Sequence, residues 1–340
     1  MNRIVAIGAT CLFLMVNSSC GMQKARVQQY DDFAAAQKAA SWSNKTILLV
    51  ITRSGEDTYS TRLENAVLNT KKFISFIKKQ SVVVRLDFSD SSYARTTVHE
   101  NASPATQAAA ERAAAQWEKN LVTVKNFRIN TRESPVVLLA TKEGYFITDI
   151  PIDASFLSPD AFIAAVAHTN AQATALNYKI ALVEQSSGQQ KIRAIDDLYD
   201  AMPAKYQHQL DPLCREVIRL DTQNKTGLFG KYVGALAYSH AADLLLDGRY
   251  DEASGVFETL AEYEQLNDIQ RMQAYYAAAH VLGRAETRNY KKIIALLTKA
   301  LESVSDKNST DALQIASELQ MINEVYAAER ARELHPDTHE

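Results

Sequence analysis

An α/β domain followed by an all-α domain is the fold class this sequence predicts, on three observations. Ile47-Leu48-Leu49-Val50-Ile51 is an apolar run without polar alternation, as in a strand covered on both faces. Leu63, Val67 and Leu68 form a helical stripe between that run and a second apolar run, Val82 to Phe88. Strand, helix and strand at this spacing predict parallel pairing with a right-handed crossover. From Ala173 onward apolar residues recur at helical spacing, and Tyr250 and Tyr290 hold equivalent places about 40 residues apart.

Composition agrees with two domains of ordinary size. The chain has 340 residues, 46% of them hydrophobic and 23% charged, which is globular composition. A net charge of -3 and the lack of a basic tract exclude nucleic acid as the expected partner. Arg3 precedes an apolar run from Ile4 to Val16, shorter than the roughly 20 residues of a membrane-spanning helix and suited to a secretory signal peptide. Asn17, Ser18, Ser19, Cys20 and Gly21 follow. Small residues before a cysteine resemble the lipoprotein box of exported bacterial proteins, with Asn17 and Val16 where an apolar residue, usually Leu, is expected. The resemblance implies lipidation of Cys20 and a membrane-anchored protein facing the periplasm. The alternative is cleavage near Ser18 or Ser19, giving a soluble periplasmic or secreted protein. The expected divisions are a signal peptide 1–20, a tether 21–29, an α/β domain 30–172, a helical domain 173–335 and a tail 336–340.

The elements follow in order. Tyr30 to Ser41 is Ala-rich and reads as a helix. Thr46 opens the first core strand, a loop runs to Asp57, and the stripe ending at Leu68 follows. Phe73, Ile74 and Ile77 mark a second short helix before the strand at 82–88. Ala102 to Trp117 reads as a further helix, with Pro104 suited to its first turn. Phe127 and Ile129 precede a loop, and Ser134-Pro135 opens the strand Val136 to Ala140. Glu143-Gly144 makes a turn, Tyr145 to Ile150 pairs back, and Ser158 to His168 closes with an amphipathic helix.

Over residues 30–170 this pattern resembles the thioredoxin-like family, carried by Thr52, Ser54, Leu63-Glu64, Leu86-Asp87 and Ser134-Pro135-Val136-Val137-Leu138-Leu139. It is closest to exported members whose active-site loop carries Trp-Cys-x-x-Cys. Glu56 stands in place of the Trp, and Asp57 and Ser60 in place of the two cysteines. The resemblance implies a thioredoxin-like scaffold without its redox chemistry, hence no catalytic residues, with Pro135 as counterpart of the family's cis-proline. Read as residues, Glu56 and Asp57 are explained by capping and by the helix dipole. A nucleophilic Ser60 would need a base within reach, for which His99 and His168 are the domain's candidates. The histidines are scattered and no metal-ligand spacing or phosphate-binding glycine loop is present, so no metal or cofactor is expected. Trp42 and Trp117 are expected to pack.

Cys11 lies in the leader, so with Cys20 lipidated Cys214 is the sole mature thiol. Its apolar neighbours at helical spacing predict a buried, inert thiol; a reactive one would need an electropositive, accessible setting.

In the second domain Leu176, Ile180, Leu182 and Val183 begin the helical pattern, and Ser186-Ser187-Gly188 interrupts it. Gly248-Arg249-Tyr250-Asp251-Glu252-Ala253 resembles the turn of a tetratricopeptide-type hairpin, although the consensus Trp and Pro are missing. The class is therefore a thioredoxin-like α/β domain followed by tetratricopeptide-like helical hairpins. Tyr232, Tyr238, Tyr263, Tyr275 and Tyr276 either line a concave protein-binding face or pack between helices. The expected function is a non-catalytic cell-envelope lipoprotein that binds an envelope protein partner. The alternatives are a thiol-redox accessory using Cys214 and a small-ligand binder in the cleft near Pro135, with Tyr59 and Ser134 at its edge.

Overall fold

The computed structural model describes residues 29–334 apart from His99, Ala154, Phe156, Thr287 and Arg288. The leader, the lipidation position Cys20 and the tail 336–340 lie outside the described residues.

The N-terminal half is built on a mixed sheet of β1 (Gln29–Tyr30), β2 (Thr46–Thr52), β3 (Ser81–Asp87), β4 (Val136–Ala140) and β5 (Phe146–Ile150). The strand order is β1-β3-β2-β4-β5. β3 runs parallel to both β1 and β2, whereas β2–β4 and β4–β5 are antiparallel. All seven residues of β2 are buried, as its unbroken apolar run requires. Burying each Leu or Ile there contributes about 1.5–3 kcal/mol.

Side-chain caps set the helix starts. α1 (Phe33–Ser43) begins where Asp32 accepts from the Ala35 N–H and ends at Asn44 in the left-handed region, φ 53°. α2 (Thr58–Leu63) passes into a π-helical turn, Glu64–Leu68. α3 (Lys71–Gln80) is capped by Thr70 and turns Phe73 and Ile77 inward. α4 (Asp90–Ala94) is short. α5 (Pro104–Asn126) starts with a Ser103 cap and Pro104 in its first turn. It runs past Trp117, its expected end, because nothing before Phe127 breaks it. Trp117 packs against Phe88 and Tyr93 at ring separations of 5.1 and 5.4 Å. Trp42 departs from expectation: it is 83% exposed and carries Lys38 5.5 Å above its ring instead of packing inward.

α6 (Pro159–Gln185) overruns both its expected end at His168 and the expected border at 172/173. Its first turns bury Phe162 and Val166, Phe162 lying edge-on to Phe73 at 5.7 Å, and its later turns bury Leu176, Ile180 and Val183. The stretch between holds no Gly or Pro, so one rod serves both halves.

The C-terminal half is largely helical. After α6 come α7 (Gly188–Ala201), a 3-10 segment (Ala204–Leu210), α8 (Asp211–Leu220), α9 (Phe229–Leu246), α10 (Tyr250–Ala261), α11 (Asp268–Gly283), α12 (Tyr290–Ser303) and α13 (Thr310–Leu334). Each helix from α6 onward packs against the next. The α9–α10 turn is closed by Gly248 at φ 73°: its N–H donates to Leu245 O, and the Arg249 N–H donates to Leu244 O. One continuous apolar core runs from Phe33 to Tyr232 and a second from Phe229 to Ile315, so the core divides near residues 228–232.

The two halves are tied at β5. Its outer edge is covered by the 3-10 segment, where Gln209 Oε1 accepts from the Phe146 N–H at 2.9 Å. Lys205 Nζ pairs with Asp149 at 2.5 Å, and the Tyr206 hydroxyl donates to the same carboxylate. Phe146 lies 5.7 Å from Phe33, 4.2 Å from Phe127 and 5.8 Å from Tyr206, so one ring joins α1, the end of α5 and the helical half.

Candidate functional site

The chain leaves the end of β2 through Arg53 to Asp57, with Gly55 at φ 82°, and enters α2. Asp57 is the N-cap of α2: Oδ1 accepts from the Ser60 N–H at 2.5 Å. Its second oxygen accepts from Ser134 Oγ at 3.2 Å, and the peptide bond from Ser134 to Pro135 is cis. Ser60 is fully buried, and its Oγ accepts from the Arg53 N–H at 3.2 Å. The structure therefore brings Asp57, Ser60, Ser134 and Pro135 together, with the polar groups of the first three turned on one another.

A second ring of polar groups supports the loop. Ser54 Oγ donates to Glu64 Oε1 at 2.7 Å, and Arg85 pairs with the same oxygen at 2.5 Å. Asp87 accepts from the Ser54 N–H at 3.0 Å, from the Ser89 N–H and hydroxyl at 3.1 Å, and from Ser92 Oγ at 2.7 Å. Burial raises the Asp87 pKa, and the hydrogen bonds, led by Ser92 and the Ser54 N–H, outweigh it and leave the carboxyl below its ordinary value. Glu56 pairs with Arg53 at 2.9 Å and accepts from the Asp90 N–H. Among the described residues no imidazole is bonded to Ser60; His168 is exposed on α6, and His99 lies outside the described residues. No group of three or more His, Cys, Asp or Glu side chains among the described residues could hold a metal ion. A cavity of about 270 Å³ lies beside Pro135, lined by Arg128, Asn130, Glu133, Asp149 and Lys205 among others.

One expectation is corrected. Tyr232 belongs to no exposed face: it is fully buried, donates to Asp196 at 2.7 Å and stands edge-on to Tyr199. The remaining tyrosines differ in their surroundings. Tyr238 and Tyr263 are exposed, Tyr275 lies beneath Lys299, and the Tyr276 hydroxyl donates to Glu318 on α13 at 2.6 Å. Cys214 is fully buried in α8, and burial, aided by the nearby Asp211, pushes its pKa up to about 12. A thiol so placed presents no accessible thiolate in this conformation, in line with the buried thiol expected from its neighbours.

Sequence reasoning missed a polar cluster between the halves. Arg128, at φ 52° after α5, reaches to α9: Nε donates to Asp243 at 2.9 Å and Nη2 to Ser239 O at 2.7 Å. Ser239 Oγ in turn donates to Asp211 at 2.6 Å. Arg128, Ser239 and Asp211, with His208 and Tyr238, line a cavity of about 310 Å³. Burial pushes the His208 pKa down, with Arg128 adding to the effect, and burial pushes Asp211 up. No local pattern marks these residues, because they converge from segments more than 100 positions apart.

A larger cavity, about 540 Å³, opens between α8, α9 and α10. Its wall is aliphatic, from Ile218, Val233, Leu236, Val256 and Leu260, and its rim carries Arg215, His240, Asp211 and Asp243. No helix among the described residues is long and apolar enough to cross a membrane.

Residues 228–329 match a family model described as the C-terminal domain of an uncharacterised protein. That segment opens where the second apolar core begins. An uncharacterized protein of Treponema pallidum (strain Nichols) is 25% identical over 119 residues, covering 35% of this chain and 40% of that protein. The chain thus spans well under half the length of this curated relative. Among solved structures, a DsbH oxidoreductase aligns with 15% identity and a TM-score of 0.33, covering 48% of this chain and 94% of that one.

Proposed function

We propose that the protein is a non-catalytic, exported cell-envelope lipoprotein in which a thioredoxin-like half is a rigid platform and a tetratricopeptide-like helical half binds another protein. The observation that carries this reading is the state of the loop entering α2. Asp57 and Ser60, in the positions that resemble those of redox cysteines, are engaged in holding their own backbone, Asp57 as a cap and Ser60 as acceptor from Arg53. The strand order and the cis Ser134–Pro135 bond support the thioredoxin-like assignment. The sequential packing of α9 to α12 as hairpins supports the tetratricopeptide-like one. Membrane attachment through Cys20 rests on the sequence of the leader.

Tyr238 and Tyr263, exposed on the helical half, are the side chains of the expected face that remain available to a partner. The test is cross-linking in intact envelopes with the full chain, beside the exposed-surface variants Tyr238→Glu and Tyr263→Glu. A discrete partner captured by the wild type and lost in both variants supports the reading. Identical capture by all three proteins sinks it. The cavity beside Pro135 favours a second reading, a small ligand held next to the loop. Loss of such a ligand in Ser134→Ala, with protein capture unchanged, would select it.

A further inference from the structure

The cavity between α8, α9 and α10 combines an aliphatic interior with an asymmetric rim. Its volume of about 540 Å³ falls within the range of small-molecule pockets. The interior is Ile218, Val233, Leu236, Val256 and Leu260, branched aliphatic side chains without a buried hydroxyl or amide among them. Tyr263 contributes the single phenol ring of the lining.

The four ionisable side chains at the rim are in different states. Asp243 is held by Arg128 at 2.9 Å, and Asp211 accepts from Ser239 Oγ at 2.6 Å. Arg215 and His240 are both exposed, and neither side chain makes a hydrogen bond or ion pair with another described residue. Arg215 lies near enough to Asp211 to lower its pKa without being bonded to it, and His240 has the same long-range effect on Glu252, which is itself paired with Arg249. The carboxylates thus have close partners, whereas the Arg215 guanidinium and the His240 imidazole keep their nitrogens free of other described residues. A guanidinium offers five N–H donors in a planar fork that matches a carboxylate.

We propose that this cavity binds an aliphatic monocarboxylate of medium chain length, its carboxylate taken by Arg215 and His240 at the rim and its chain lying along Val233, Leu236, Val256 and Leu260. The chemistry is burial of methylene groups against aliphatic walls, each worth about a fourfold gain in affinity, with the head group fixed by charge-assisted hydrogen bonds. The site is separate from the loop at Asp57 and does not require that the helical half capture a protein.

The test is calorimetric titration of the purified full chain with decanoate below its micelle concentration, beside octanoate and decanol. Decanoate is expected to bind in a single saturable step. Octanoate should bind about sixteenfold more weakly through the loss of two methylenes, and decanol at least about tenfold more weakly through the loss of the charged head. Arg215 is exposed, so Arg215→Gln should retain the wild-type circular dichroism spectrum and weaken decanoate about tenfold while leaving decanol unchanged. Thr259 lines the same cavity and is exposed, so Thr259→Trp should obstruct it and abolish binding of both. The absence of saturable binding at millimolar decanoate overturns the proposal. So does equal affinity for decanoate and decanol, or decanoate binding unaltered in either variant.

Discussion

The loop entering α2 and the rim of the α8–α10 cavity contrast in how their polar groups are used. In the loop, Asp57, Ser60, Ser54, Glu64 and Asp87 are bonded to the chain's own groups. At the rim, Arg215 and His240 are exposed and have no hydrogen-bond or ion-pair partner among the described residues. Groups already satisfied gain little from a ligand, because binding only exchanges one partner for another. Groups without a protein partner exchange only water for a ligand, and a charged pair beside apolar walls retains a net gain. A region whose resemblance suggests an active site can therefore be structural, while the binding site proposed above lies where no motif drew attention.

The largest expected effect tests how far the two regions are mechanically separate. Phe146 is fully buried and touches rings of both halves, so Phe146→Ala should cost about 3–5 kcal/mol. Thermal unfolding followed by far-ultraviolet circular dichroism should show the first core melting ahead of the second, Phe229 to Ile315, in place of one transition. A single transition shifted as a whole would mean that the cores melt as one unit.

The latch between the halves comes next. Arg128→Ala removes the donors to Ser239 O and Asp243 and should cost about 1.5–3 kcal/mol, discounted because Asp243 is 59% exposed. A double-mutant cycle with Asp243→Ala in urea unfolding isolates the pair, and a coupling near zero would assign the loss to the carbonyl and hydroxyl of Ser239.

Within the loop, Asp57→Ala deletes the cap of α2 and should cost about 1 kcal/mol. Asp57→Asn keeps the capping oxygen and should restore most of that stability in the same urea titration. If Asn restores nothing, the charge of Asp57 matters more than its cap, and the comparison above loses its footing.

The smallest effect is a pH dependence at the junction. The folded-state pKa of His208 lies below its ordinary 6.5, so the unfolded chain binds more protons between those two values. Stability should fall as pH drops below 6.5 and level off below the folded-state pKa. The groups facing the ring are Arg128, Asp211 and the Lys205 and Asn126 backbone. His208→Gln should flatten the profile in that window, leaving the acid loss below about 4 from carboxylates such as Asp87, whose folded-state pKa is depressed.

The parts of the fold legible in the sequence were those set by local pattern. The unbroken apolar run of β2, the strand at 82–88, the Ser134-Pro135 strand and the turn at Gly144 all stand where periodicity and turn chemistry placed them. The two-residue β1 was not legible, because Gln29–Tyr30 is too short to carry a period. The border at 172/173 was placed by the change from mixed to helical pattern, yet α6 continues through it, since helical periodicity does not record which core each turn enters. At the candidate site, capping by Asp57 followed from its place before a helix, whereas the Arg128–Ser239–Asp211 latch had no sequence signal.

What the sequence by itself determined is the chemistry available and the local elements: a single thiol beyond residue 20, Asp57 and Ser60 at the entrance to α2, and amphipathic stripes that must be buried. Only the tertiary structure decided which of these are accessible. It placed Tyr232 in the core, exposed Trp42 and Tyr238, and left Arg215 and His240 open at an aliphatic cavity. The physical reason is that periodicity records one helix's own apolar stripe, while exposure depends on what the neighbouring helices bring to it.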